Sequence, residues 1–203
     1  MIYEDHVGRA VTDIATRNQD VTASVGARVG ATAASKTGDI EVDLSGGGRY
    51  VIECKDRRVP LRTILAELER AQNNRQAGGA IAVFSSIENS PVREPIATFG
   101  DKVIVVLDKD NPDPTALRLA CAWARACAHA AHQADESSPA DVEAIIDLMA
   151  AARRSLARIS QIRSAHTQAI RKIEDAGGQL TNISTELNQI VTTVEDVLRP
   201  AVA

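Results

Sequence analysis

Apolar and polar positions change rhythm along the chain, and each rhythm predicts an element. Residues 3–18 place Tyr3, Val7, Ala10, Val11 and Ile14 at helical spacing, an amphipathic helix. Residues 20–33 set Val21, Val25 and Val29 among glycines, which predicts short β structure with turns. Residues 39–44 alternate, with Ile40, Val42 and Leu44 on one face and Asp39, Glu41 and Asp43 on the other. The run Ser45-Gly46-Gly47-Gly48 is a turn, and residues 49–55 form a second strand, so the two make a hairpin. Pro60 opens a helix with Leu61, Ile64, Leu65, Leu68 and Ala71 as its buried stripe, and Gly78-Gly79 end it. Residues 80–86 and 102–108 read as strands buried on both faces, joined by a loop holding Pro91 and Pro95. An Ala-rich helix follows, with Asp113 as its cap.

Strands alternating with helices give an α/β layer structure over residues 1–134. The segment Asp135–Pro139 is a boundary, and residues 139–199 form a separate helical module. Positions from Ile145 to Val197 alternate steps of three and four, and all but Ser155 and His166 are apolar. That sustained heptad seam predicts a coiled coil. Residues 148–173 carry Arg153, Arg154, Arg158, Arg163, Arg171 and Lys172 with no acid; residues 174–198 carry acids and no base. A basic half followed by an acidic half suits antiparallel pairing, as a hairpin bent at Gly177-Gly178 or as a dimer.

Composition adds limits. A net charge of −4 provides no global field for nucleic acid, so such binding needs a local basic patch. The three cysteines have no metal-ligand spacing, and a reduced, cytoplasmic setting is expected. No window approaches a membrane span, and Tyr3-Glu4-Asp5-His6 begins too polar for a signal peptide.

The candidate chemistry lies in the hairpin. Alternation puts Val51, Glu53 and Lys55 on one face, and a three-residue loop Ser45-Gly46-Gly47 sets Asp39 opposite Glu53. Two carboxylates side by side repel unless a cation joins them. A divalent ion such as Mg²⁺ resolves that conflict, acidifies a bound water and neutralises charge on a phosphate. Alternatives remain. Glu53 and Lys55 can form a surface cross-strand pair, Asp39 can cap a turn, and Asp43 is the other metal-side acid, although opposite Arg49 it suits an ion pair. His129 and His132, one helical turn apart, lack a visible third ligand and read as solvent-facing.

Gly38-Asp39, thirteen positions, then Glu53-Cys54-Lys55 resembles the active-site motif of the PD-(D/E)XK, restriction-endonuclease-like, nuclease superfamily. The motif's proline is missing here, since Thr37-Gly38 precedes Asp39. The resemblance implies a core of helix, three-stranded meander, helix and strand over residues 3–86. It implies Asp39, Glu53 and Lys55 as catalytic residues, Asp39 and Glu53 as ligands of Mg²⁺ or Mn²⁺, and Glu4 as a supporting acid from the first helix. Gln72, Asn74 or Arg75 would support from the following helix. Arg57, Arg58 and Arg62 form a basic run beside the motif, with Arg70 and Arg75 beyond it, suited to a DNA backbone. The expected function is a metal-dependent DNA endonuclease whose coiled coil mediates dimerisation or partner docking. The alternative is a non-catalytic assembly protein that keeps the nuclease-like scaffold.

Overall fold

The computed structural model describes residues 3–24, 38–133 and 139–198. The chain divides into two compact units, Met1–Ala157 and Arg158–Ala203. The first unit opens with helix α1 (Tyr3–Arg17), followed by strands β1 (Val21–Ser24), β2 (Ile40–Asp43) and β3 (Arg49–Lys55). Helix α2 (Leu61–Arg75) leads to β4 (Gly79–Phe84), β5 (Ile96–Phe99), β6 (Lys102–Val106) and helix α3 (Thr115–His132). The expected order of helix, meander, helix and strand is therefore present. Helix α4 (Pro139–Leu198) follows.

The six strands form one mixed sheet in the order β1-β2-β3-β4-β6-β5. The first three are an antiparallel meander; β3, β4 and β6 run parallel; β5 is an antiparallel edge. Every residue of β4 is buried, as its unbroken apolar run requires of a central strand. Strand alternation then sorts the core into two layers. Ile40, Val42, Tyr50, Ile52, Ile81 and Val83 pack with α1 and α3; Val51, Ala80, Ala82 and Phe84 pack with Ile64, Leu68 and Ala71 of α2. Asp39, Glu53 and Lys55 belong by register to the α2 side.

Three expectations need correction. Residues 96–99, read as loop, form β5, a four-residue edge strand just after Pro95. Helix α2 does not run to the glycines: Gln76 takes the left-handed conformation (φ 54°, ψ 45°) and ends it. Gly79 begins β4 instead, paired with Tyr50, and a Cβ there would lie 2.6 Å from the Ala124 carbonyl oxygen of α3. Helix α4 continues unbroken through Gly177-Gly178, so the module is not a hairpin bent at those residues. Leu156 of α4 joins the core cluster that includes residues of α1 and α3.

The hairpin turn is held from both sides. Ser45 donates its amide to Asp20 (3.0 Å), whose carboxylate also receives Arg125 Nε of α3 at 3.0 Å. The Asp20 side chain is only 1% exposed. Arg125→Met would leave that carboxylate buried with one neutral donor, and is expected to destabilise the fold by about 2 kcal/mol. Urea unfolding of the variant against wild type checks this.

Candidate active site at the open end of the hairpin

The β2–β3 register pairs Ile40 with Ile52, Glu41 with Val51, Val42 with Tyr50 and Asp43 with Arg49, as the three-residue loop requires. Asp39 lies just beyond the last rung. Its amide donates to the Ile52 carbonyl (2.9 Å), and its Oδ2 accepts the Cys54 amide at 2.7 Å. The carboxylate thus takes the place of a ladder carbonyl and is fixed by β3 itself. Gly38 turns the chain into this position with φ of 91°, open to glycine but strained for other residues. Its amide donates to Glu53 Oε1 at 2.5 Å.

Glu53 is 6% exposed. Its Oε2 receives Lys55 Nζ at 3.0 Å, and the same ammonium reaches Glu67 Oε2 of α2 at 2.9 Å. Lys55 is therefore clamped between two elements. Glu67 was missed at the sequence level. Its signal was available, since it lies three residues after Ile64 and four before Ala71, on the α2 face that meets the sheet.

The electrostatics are unbalanced. Burial raises the Asp39 pKa, and Glu4 and Glu67 push it further, against the Cys54 amide and Lys55. Burial also raises Glu53, with Asp39 adding to the effect. Burial would lower Lys55, but Glu53 and Glu67 more than offset it and the net shift is upward. The Cys54 thiol is pushed up by burial and then by Asp39, so it stays protonated and is no nucleophile. Glu53 and Glu67 thus hold the single ammonium of Lys55, Asp39 lies near it with Glu4 close to Asp39, and the site disfavours its own negative charge.

That has a consequence for stability. In the metal-free protein, Asp39 and Glu53 bind protons more tightly folded than unfolded. Stability is therefore expected to fall as pH rises from the ordinary carboxylate values, 3.8 and 4.5, through the raised ones. Asp39→Asn should flatten that slope in melting curves taken in chelator between pH 4 and pH 8.

The structure separates the other named residues. Glu4 comes near enough to Asp39 to raise its pKa. Gln72 turns away and donates to Asp101 Oδ2 at 2.7 Å. Asn74 is buried. Arg75 Nε lies 3.6 Å from Glu41, and its side chain packs 3.7 Å from the Cβ position of Gly38, whose amide holds Glu53, while Arg49 holds Asp43 at 2.6 Å. Asp43 is thus the ion-pair partner that its place opposite Arg49 suggested. Arg57 and Arg58 are exposed in the segment after β3, and Arg62 is exposed in the first turn of α2. Arg70 is exposed further along α2. His129 and His132 are not purely solvent-facing: they cover Gly46 and Gly47 of the hairpin turn.

Among the described residues, no cluster of three or more His, Cys, Asp or Glu side chains is arranged to hold a metal ion. The donor set is instead a carboxylate pair. Asp39 Oδ1 accepts no hydrogen bond from a described residue, while Oδ2 is fixed by Cys54. Two oxygen-donor groups that disfavour their own charge fit an ion that keeps several waters, as Mg²⁺ does. Among the described residues no helix is long and apolar enough to cross a membrane. Comparison with family models, curated proteins and solved structures finds no significant match to the chain.

Proposed function

We propose that the α/β unit is a metal-dependent DNA endonuclease of the PD-(D/E)XK type. The observation that carries the reading is the clamped triad: Asp39 fixed by the Cys54 amide, Glu53 by the Gly38 amide, and Lys55 set against Glu53 and Glu67. Asp39 and Glu53 would hold Mg²⁺ or Mn²⁺. When bound, the ion acidifies a water and neutralises charge on the scissile phosphate. The protein's share is positional. Lys55 presents an ammonium beside the pair, where it orients the attacking water and stabilises the phosphate charge. Glu67 keeps that ammonium in place, and Glu4 adds negative charge that strengthens cation binding. Arg57, Arg58 and Arg62 contact the DNA backbone without reading bases.

The test is cleavage of supercoiled plasmid, linear duplex and single-stranded DNA in Mg²⁺ or Mn²⁺. Wild type is expected to cut at least one form, and Glu53→Gln to cut none. A second reading, a non-catalytic assembly protein, draws on the exposed apolar face of α4. Absence of cleavage of every form in either metal would favour it.

A further inference from the structure

Helix α4 exposes a long apolar seam that the single chain leaves uncovered. Ile173 is 71% and Leu180 69% exposed, and Ile162, Ile183, Leu187 and Val194 are all exposed as well. A lone amphipathic helix of this length does not bury such a face, so another helix must. Because α4 is continuous, its own chain does not fold back at the glycines to supply one.

We infer that residues 159–197 pair with the same segment of a second copy of this chain, antiparallel, with the two-fold axis near Gln179. Two features select this arrangement. The first is charge: within the paired segment Arg171 and Lys172 precede the midpoint and Glu186 and Glu195 follow it, with no base beyond Lys172. Parallel pairing superposes like charges, whereas antiparallel pairing opposes unlike ones. The second is register. In an antiparallel coiled coil the positions just before the first seam residue of each heptad face one another across the interface. Centring on Gln179 sets Lys172 against Glu186 of the second copy, twice by symmetry. One step one way sets Lys172 against Gln179, and one step the other way against Thr193. Two steps in the first direction set it against itself.

In the favoured register the seam volumes also match. Ala169 faces Leu187 of the second copy, Ala176 faces Leu180, and Ile173 faces Ile183. Both alanine layers thus pair a small residue with a leucine, which limits voids in knobs-into-holes packing. The overlap begins beyond Leu156, so that residue keeps its place in the core.

The experiment uses the full chain. Light scattering over a concentration series is expected to show a dimer. A bismaleimide cross-linker, with wild type as the background for the three native cysteines, then reports direction and register. Gln179→Cys should link to itself. Ile162→Cys should not, but a mixture of Ile162→Cys and Val194→Cys chains should cross-link. Lys172→Glu and Glu186→Lys should each weaken the dimer, on the order of tenfold, and the double reversal should restore it. A monomer at every concentration, efficient Ile162→Cys self-linking, or a double reversal as weak as the singles would overturn the inference. None of these variants touches Asp39, Glu53 or Lys55, so failure here is separable from failure of the nuclease reading.

Discussion

Lys55→Ala is expected to cleave DNA at least about a hundredfold more slowly than wild type while still binding Mn²⁺. The two halves of that result come from different atoms. In the proposed reading Asp39 and Glu53 would hold the metal, and they keep their Cys54 and Gly38 amide donors when the lysine is truncated. Affinity should even rise somewhat, because a competing cation 3.0 Å from Glu53 is gone. The rate should fall because in the proposed mechanism the ammonium would act on the water and phosphate, not on the ion. Glu67→Gln probes the same group indirectly. It leaves Lys55 with Glu53 alone, so it should lower the rate less and leave metal binding intact. Single-turnover cleavage paired with Mn²⁺ titration separates these outcomes. A Lys55→Ala variant that cuts as fast as wild type would remove the lysine from the mechanism.

The largest stability effect is expected at Gly48. Its φ is 89°, and a Cβ there would lie 2.6 Å from the Ala128 carbonyl oxygen, a backbone atom with no rotamer to yield. Gly48→Ala therefore meets both left-handed strain and overpacking, and should destabilise the protein by about 3 kcal/mol. Gly100 is the control. It also has positive φ, but no atom lies within 4 Å of its Cβ position, so Gly100→Ala should cost about 1 kcal/mol. Equal losses in urea unfolding would mean that contact with α3 contributes nothing at the turn.

Most of what positions the site was legible in local pattern. Alternation in residues 39–44 and 49–55 showed which side chains share a face, and the glycine run permitted the three-residue loop that Asp39 opposite Glu53 requires, the register the strands adopt. Arg49 opposite Asp43 followed from the same register. What escaped depended on contacts between distant segments. Gly78-Gly79 resembled a helix stop, yet they are small because α3 crosses them at Ala124 and Ala128. Strand β5 is only four residues long and gains its pairing from β6, so its own sequence gives a weak signal. Gln72 lay on the right helix for a site role, but it is taken up by Asp101 in the turn between β5 and β6. Glu67 was half legible: its helical face was readable, its reach to Lys55 was not.

The central claim is that Asp39 and Glu53 share one divalent ion, and a crystal soaked in Mn²⁺ tests it most directly. The account predicts a single anomalous peak between an Asp39 oxygen and a Glu53 oxygen, at the ~2.0–2.6 Å spacing of hard-cation ligands, and none in Asp39→Asn crystals soaked alike. A saturating soak that leaves both carboxylates without metal, with Lys55 still holding Glu53, would contradict it.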